Sequence, residues 1–324
     1  MLGLVSVQST LAVFLFLGVL IGIAFGPAKF DFQTLLTALV SNGDTSAELV
    51  VWSLRMPRVA ASLLVGCCLG VAGSLLQLST RNPLGDPQIF GVGGGAVVIQ
   101  ALSFTGVIQL GPWNLVAVSV VASILGASVI AWFASKGEIS PARLALIGVS
   151  VAALCLACAT GILVHSRVFT QHSLAFIGGS LTNRGWQDLI PALPFMSLGL
   201  ALSIVISGRL NLLTLGDRIA ASLGAEPGRT RIVAMASAGI LGGTAVAVGG
   251  MVGFVGLLVP HIARLLVGYD ARRIILTSIP LGAVLTLYAD QIARLAFMPS
   301  EVPVGMVTTI IGAPMMIYVA RRIA

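Results

Sequence analysis

The sequence predicts an all-α polytopic membrane protein with about ten transmembrane helices and both termini cytoplasmic. Three observations predict it. Only 9% of the 324 residues are charged and 57% are hydrophobic, whereas an ordinary soluble protein carries about 25% charged residues. The uncharged residues form long continuous runs, not the alternation of a transmembrane β-strand. The lysines and arginines are divided unevenly between successive loops. A globule of this length with so few charges would not stay dissolved, so a soluble enzyme is excluded. Disordered, collagen-like and disulfide-framed classes are excluded with it.

Eight apolar stretches free of Asp, Glu, Lys and Arg are read as candidate spans: residues 1–28, 59–80, 87–135, 144–166, 189–208, 232–263, 274–289 and 302–320. A crossing needs about 20 apolar residues. The stretch 87–135 is too long for one and is divided at Gly111-Pro112. The stretch 232–263 is divided by Gly249-Gly250 and Gly253. Two doubled stretches give ten spans in a single transmembrane domain, residues 1–324. The first span has no positive leader region and no small-residue cleavage site, so it reads as a membrane helix and not a signal peptide.

With cytoplasmic termini, the inner loops and tail hold twelve basic residues: Arg81, Lys136, Arg143, Arg209, Arg218, Arg229, Arg231, Arg264, Arg272, Arg273, Arg321 and Arg322. The outer loops hold six: Lys29, Arg55, Arg58, Arg167, Arg184 and Arg294. The net charge of +7 is therefore mainly a topology signal. No basic stripe interleaved with aromatics suggests a nucleic-acid partner.

Several motifs have bland readings. Cys155-x-x-Cys158 has metal spacing but no second pair, so it reads as helix packing, as do Cys67 and Cys68. The glycine pairs Gly66/Gly70, Gly91/Gly95, Gly239/Gly243 and Gly249/Gly253 are four apart, which lets helix backbones approach on one face. The glycines of residues 91–95 lack the Lys-Ser/Thr of a phosphate loop, and no GxxxxGK[ST] occurs. ATP, if used, must be bound by another chain. Asp290 and Arg294, one turn apart in the ninth span, are expected to pair. His261 reads as structural, and His165 and His172 as outer-loop residues that could touch a metal-bearing solute.

The longest polar inner loop is 209–231. Within it, residues 217–223 read as a short helix. Asp217 suits its positive N-terminus. Gly224 suits a left-handed stop, and Pro227 suits the first turn of the next helix. Capped short helices between spans make a docking surface.

The segments Arg55-Met56-Pro57-Arg58, Arg81-Asn82-Pro83-Leu84-Gly85-Asp86-Pro87 and Gly91 through Ala96 resemble the FecCD family of permeases. So, in the same order, do Gly178-Gly179-Ser180-Leu181 with Arg184 and Trp186, and Asp217 through Gly224. Gly253 through His261 with Arg264, then Asp290 with Arg294, Glu301 through Gly305, and Ile311 through Pro314 complete the match. The resemblance covers about residues 50–322.

It implies the fold of a type II ABC importer permease for ferric siderophores, haem or cobalamin, in a bacterial cytoplasmic membrane. The chain would not itself be an enzyme and would carry no cofactor or metal. It would pair with a second copy or close paralogue, with ATP and magnesium held by two partner ATPase subunits. A periplasmic or lipid-anchored binding protein would deliver the solute. Binding-protein docking falls by resemblance on Arg55, Arg58 and Arg294. ATPase coupling falls on Leu215, Gly216, Asp217, Ala220, Ala221, Leu223 and Gly224. The cytoplasmic gate falls on Asn82 and Leu84 and on Pro141 and Ala142; the last two depart from the hydroxyl residues usual there. A ferric siderophore is the favoured solute, with outward Arg167 and Arg184 suited to an anionic chelate. Haem or cobalamin is the alternative. An ion-coupled secondary transporter is a further one, for which Asp290 would be the only carboxylate within a span.

Overall fold

The computed structural model describes residues 3–26, 28, 30–40, 45–135, 141–166, 176–296 and 300–323, and every regular element among them is helical. In chain order the helices are α1 Leu4–Ala24, α2 Phe32–Val40 and α3 Ser46–Thr80. Then come α4 Gly94–Phe104, α5 Pro112–Ser135, α6 Pro141–His165 and α7 Trp186–Thr214. The short α8 Asp217–Ser222 leads to α9 Pro227–Gly249, α10 Val255–Val267, α11 Ala271–Leu295 and α12 Val304–Ile323. Among the described residues seven helices are long and apolar enough to cross a membrane, and α4, α10 and α12 are shorter apolar helices. These are the ten apolar helices expected; α2 and α8 lie outside the set.

Helix α3 begins earlier than its uncharged stretch. Arg55 and Arg58 lie inside it, not in a loop before it. Residues Val50–Arg55 form a π turn, with the Met56 N–H donating to the Val51 carbonyl. The cause is Pro57: it cannot donate, and its ring crowds the carbonyl four residues back. A wider turn relieves that clash. Helix α2 carries no signal of its own in a count of charge-free runs. It packs Leu35 and Ala38 against Ile23 of α1 and Val51 of α3.

Helix α3 is the axis of the bundle, buried on nearly every side by α9, α10 and α11. Small residues make this possible. A Cβ on Gly66 would lie 2.2 Å from the Gly282 carbonyl oxygen of α11, and one on Gly73 would lie 1.8 Å from that of Gly256 in α10. Backbone-to-backbone approach of this kind replaces the hydrophobic drive that lipid removes. Of the four expected glycine pairs, Gly66/Gly70 and Gly239/Gly243 do lie on single helix faces, against α11 and α5. The other two do not. Gly91 has φ +68° and precedes α4, and α9 stops at Gly249 because Gly250 has φ +69°.

These two breaks shape the interior. At about 1.5 Å per residue, α4 and α10 are too short to cross alone. Irregular backbone makes up the difference at residues 82–93 and 250–254. Such backbone survives in a membrane only where protein satisfies it. Here the Ser180 N–H donates to Gly249, the Met251 N–H to Phe176, and the Gly305 N–H to Gly179. The helical turn at 176–178 with residues 179–180, the irregular segment 250–254 and the start of α12 are thus knitted together.

Candidate functional site

At the outer end, the arginines expected in loops are buried. Arg55 is 4% exposed and Arg294 3%. Arg55 donates to the Ala24 carbonyl at 3.0 Å and to those of Ile23 and Ala28, and its guanidinium stands over the Phe30 ring. Arg294 donates to the Gly22 carbonyl at 3.0 Å. Both therefore serve the C-terminal carbonyls of α1, which lack intrahelical partners and carry the negative end of the helix dipole.

Arg58 forks onto Asp290, with Nε 2.9 Å from Oδ2 and Nη2 3.0 Å from Oδ1. Its Nη1 reaches Glu301 at 2.8 Å, and that carboxylate also accepts from the Thr182 hydroxyl at 3.1 Å. This corrects the expected Asp290–Arg294 pair. The i,i+4 spacing permits it, but the bidentate fork from α3 takes the carboxylate. The cluster holds three cations and two carboxylates.

Below it, the knitted segments border an open cavity of about 420 Å³. Ile89, Ile177, Phe254, Met306 and Ile310 give it an apolar lining, with Gln88 and Thr309 as polar points. Phe254 sits at the α10 N-cap with φ +66°.

At the inner end, α3 stops at Arg81, which adopts the left-handed conformation with φ 52°. The Asn82 Oδ1 accepts the Leu84 N–H at 2.9 Å, closing a turn that leaves Leu84 half exposed. Of the second expected gate pair, Pro141 and Ala142 open α6 and Ala142 is exposed. Helix α6 meets the 82–93 segment farther along, where Gly91 packs on Gly148 and Ala152. Asp86 is buried, and its Oδ1 accepts the Gln88 and Ile89 N–H groups. Gln77 was not anticipated as a site residue. Its amide donates to the Gly85 and Leu257 carbonyls, and its oxygen accepts from Arg264. A lone amide in an uncharged span was the available signal.

Helix α8 forms much as its residues predict, ending one residue early at Ser222. Gly224 has φ +81°, with the Gly224 N–H on Ala221 and the Ala225 N–H on Ala220. This is a full Schellman stop. Ala220 is buried beneath the helix, while Leu215, Ile219 and Leu223 are more than half exposed. Leu215 caps the end of α7, Ile219 lies within α8 and Leu223 caps its end, so exposed apolar side chains stand before, on and after the short helix.

Asp217 is held by Arg81 at 2.9 Å and by both arms of Arg231 at 2.7 and 2.8 Å. The Arg231 hydrogen bonds, with both arginine charges, lower the Asp217 pKa from its ordinary 3.8. A depressed carboxylate contributes its stabilisation above the unfolded pKa and loses it as pH falls through the folded one. Limited proteolysis at residues 215–224 is therefore expected to be unchanged from about pH 8 to 5 and to rise only in stronger acid.

Other sequence features stay apart from these sites. Cys155 is half-buried against Gly94, and Cys158 is exposed. His165 is exposed at the end of α6, and His261 is half-buried. His172 and Arg167 lie outside the described residues. Among the described residues no three His, Cys, Asp or Glu side chains are grouped to hold a metal.

The chain is 36% identical over 312 residues to the Fe(3+)-citrate import system permease protein YfmD of Bacillus subtilis, covering 96% of this chain and 93% of that one. It is 37% identical over 309 residues to the iron(3+)-hydroxamate import system permease protein FhuB of Bacillus subtilis, covering 94% and 80%. A solved metal-chelate type ABC transporter in an inward-facing conformation superposes with a TM-score of 0.83 at 25% identity, covering 98% of this chain and 99% of that one. The FecCD transport family model matches residues 14–322. Match, fold and ordered motifs agree: the chain is a multi-pass membrane protein belonging to the FecCD transport family.

Proposed function

We propose that this chain is the membrane-spanning subunit of an ATP-driven importer that carries an intact ferric chelate, a siderophore first, into a bacterial cell. It works as a dimer with a second copy or paralogue. Two ATPase subunits bind ATP and magnesium and dock on the inner segment 209–231, which runs from the end of α7 through α8 to the start of α9, and a soluble binding protein delivers the chelate from outside. The observation that carries this reading is α8, a short inner helix with a capped end, around which Leu215, Ile219 and Leu223 are exposed. Ferric-citrate and ferric-hydroxamate permeases among the relatives favour an iron chelate.

The apolar cavity at Ile89, Phe254 and Met306 suits a bulky solute passing without chemistry. Solute movement follows from alternating access. ATP binding must favour one conformational state over the other, and the ATPase dimer supplies that bias through α8. A docking role of Arg55, Arg58 and Arg294 would act through the field of the cluster, whose excess of one positive charge over its two carboxylates attracts an acidic partner from beneath the surface. Reversing Arg58 to Glu would set a third carboxylate against Asp290 and Glu301, so that variant tests folding as much as docking. Asp290, the carboxylate an ion-coupled carrier would use, is paired with Arg58.

The test is co-purification with the ATPase, then ATP-dependent uptake in liposomes across ferric citrate, ferric hydroxamates, haem and cobalamin. Uptake of a ferric chelate alone supports the reading; uptake of only haem or cobalamin reassigns the solute. Replacing residues 217–223 by a Gly/Ser linker is expected to leave the protein inserted but reduce ATP-coupled uptake at least about tenfold, the equivalent of about 1.4 kcal/mol of coupling. Normal uptake by that variant would refute the role of α8.

A further inference from the structure

Helix α8 has six residues, too few to be stable or stiff alone. Both of its covalent joints are left-handed glycines, Gly216 with φ +106° and Gly224 with φ +81°. Glycine constrains the chain least of all residues. A push on α8 would be absorbed at these joints unless another connection carried it.

Arg231 makes that connection. Its side chain is 12% exposed, so it lies beneath α8 and not among the exposed apolar side chains. Two guanidinium nitrogens grip Asp217 at the head of α8. The third, Nε, donates to the Ser79 carbonyl at 3.1 Å. Ser79 lies in the last turn of α3, where carbonyls lack helical partners. All three nitrogens of one planar, preorganised group are therefore used, in a geometry lysine cannot copy.

The end of α3 is in turn part of a hydrogen-bonded block. Gln77 ties it to Gly85 in the turn after Asn82 and Leu84, to α10 through Leu257, and to Arg264. Arg81 adds a second, more exposed link to Asp217, which is worth less because water screens it.

We infer that Arg231 is the positioning residue that makes α8, the end of α3 and the Asn82–Leu84 turn move as one body, so that a displacement imposed on α8 reaches the inner gate. This rests on the reading of α8 as the ATPase dock and of Leu84 as a gate residue. Nothing in the role requires Arg231 to touch the ATPase or the solute.

The test uses the permease–ATPase complex in lipid vesicles. A spin label is placed on Leu84→Cys after the four native cysteines are replaced. Label mobility is read before and after trapping with ATP and vanadate, and is normalised to trapped nucleotide. With Arg231 intact, trapping is expected to shift the label. Arg231→Gln is expected to reduce the shift per trapped nucleotide about fivefold or more, with Arg231→Lys intermediate. A purely stabilising residue would lower complex yield and trapped nucleotide, leaving the shift per trapped nucleotide unchanged; that result, or a full shift in Arg231→Gln, overturns the inference. If Arg231→Gln does not accumulate, Arg81→Gln removes one of the three contacts to Asp217 and is expected to give a smaller loss of the same ratio; an unchanged ratio there overturns the inference. The arm with Arg231 intact separates the two levels. A label that does not shift despite full nucleotide trapping refutes the gate assignment, and the inference with it, whatever the variants do.

Discussion

Replacing Gly73 with valine is expected to abolish stable accumulation of the protein. The first added carbon would lie 1.8 Å from the Gly256 carbonyl oxygen and 2.6 Å from the Gly256 Cα. Both obstacles are backbone, so no rotamer change relieves them. Helix α10 cannot retreat either, because Gly256 is itself packed on Pro87 and the Asp86 carboxylate. Separating α3 from α10 would also break the Gln77 amide from the Leu257 carbonyl. Overpacking by side chains alone costs about 1–3 kcal/mol. A backbone collision at the bundle axis should exceed that, against a total stability of about 5–15 kcal/mol for typical domains. The measurement is the monodisperse fraction after detergent extraction, with the thermal midpoint of whatever remains. Gly161→Ala is the control, since nothing lies within 4 Å of a Cβ there. It should behave as the parent protein does. Equal loss from both variants would sink the argument.

The second large effect is expected at Asp290. Its side chain is 5% exposed and that of Arg58 11%. Asp290→Asn removes the partner of a buried guanidinium and weakens the balance of the positive cluster around Arg55 and Arg294. Breaking a buried pair from one side costs about 3–5 kcal/mol, because the remaining charge is left uncompensated. Glu301→Gln should cost less, since Glu301 is 25% exposed and Arg58 keeps its fork on Asp290. The double variant Arg58→Met with Asp290→Leu should recover much of the loss, because replacing a whole buried pair by apolar groups is often neutral. Thermal midpoints rank these costs. Adding the single variants Arg58→Met and Asp290→Leu completes a double-mutant cycle with the parent and the double variant, from which the coupling energy of the pair follows. A cost at Asp290 no greater than that at Glu301 would mean that the fork contributes little.

Both effects turn on contacts between helices, and here reading the chain and reading the structure part ways. The run of residues 59–80 announces a membrane helix. It does not announce that the helix begins at Ser46, because Arg55 and Arg58 interrupt the charge-free count while the backbone continues through them. The turn at Gly224 was legible in full, since a Schellman stop depends on six consecutive residues. Part of the inner site was legible too: α8 and the Asn82 turn are local motifs. The contacts of Arg231 with Ser79, of Gln77 with Leu257 and of Glu301 with Arg58 were not legible, because the partners lie far apart in the chain.

The sequence by itself determined the number of apolar helices, the polar loops between them and the family. These follow from run lengths set by the thickness of the hydrocarbon, from turn chemistry and from motif order, all properties of neighbouring residues. The tertiary structure alone decided that Arg58, not Arg294, takes Asp290 across 232 positions. It decided that Arg55 and Arg294 cap α1 instead of facing solvent, and that two of four glycine pairs sit at helix breaks. The physical reason is the same each time. In a low-dielectric bundle a charge or carbonyl is satisfied by whichever group the packing brings within 3 Å, and chain spacing does not encode which group that will be.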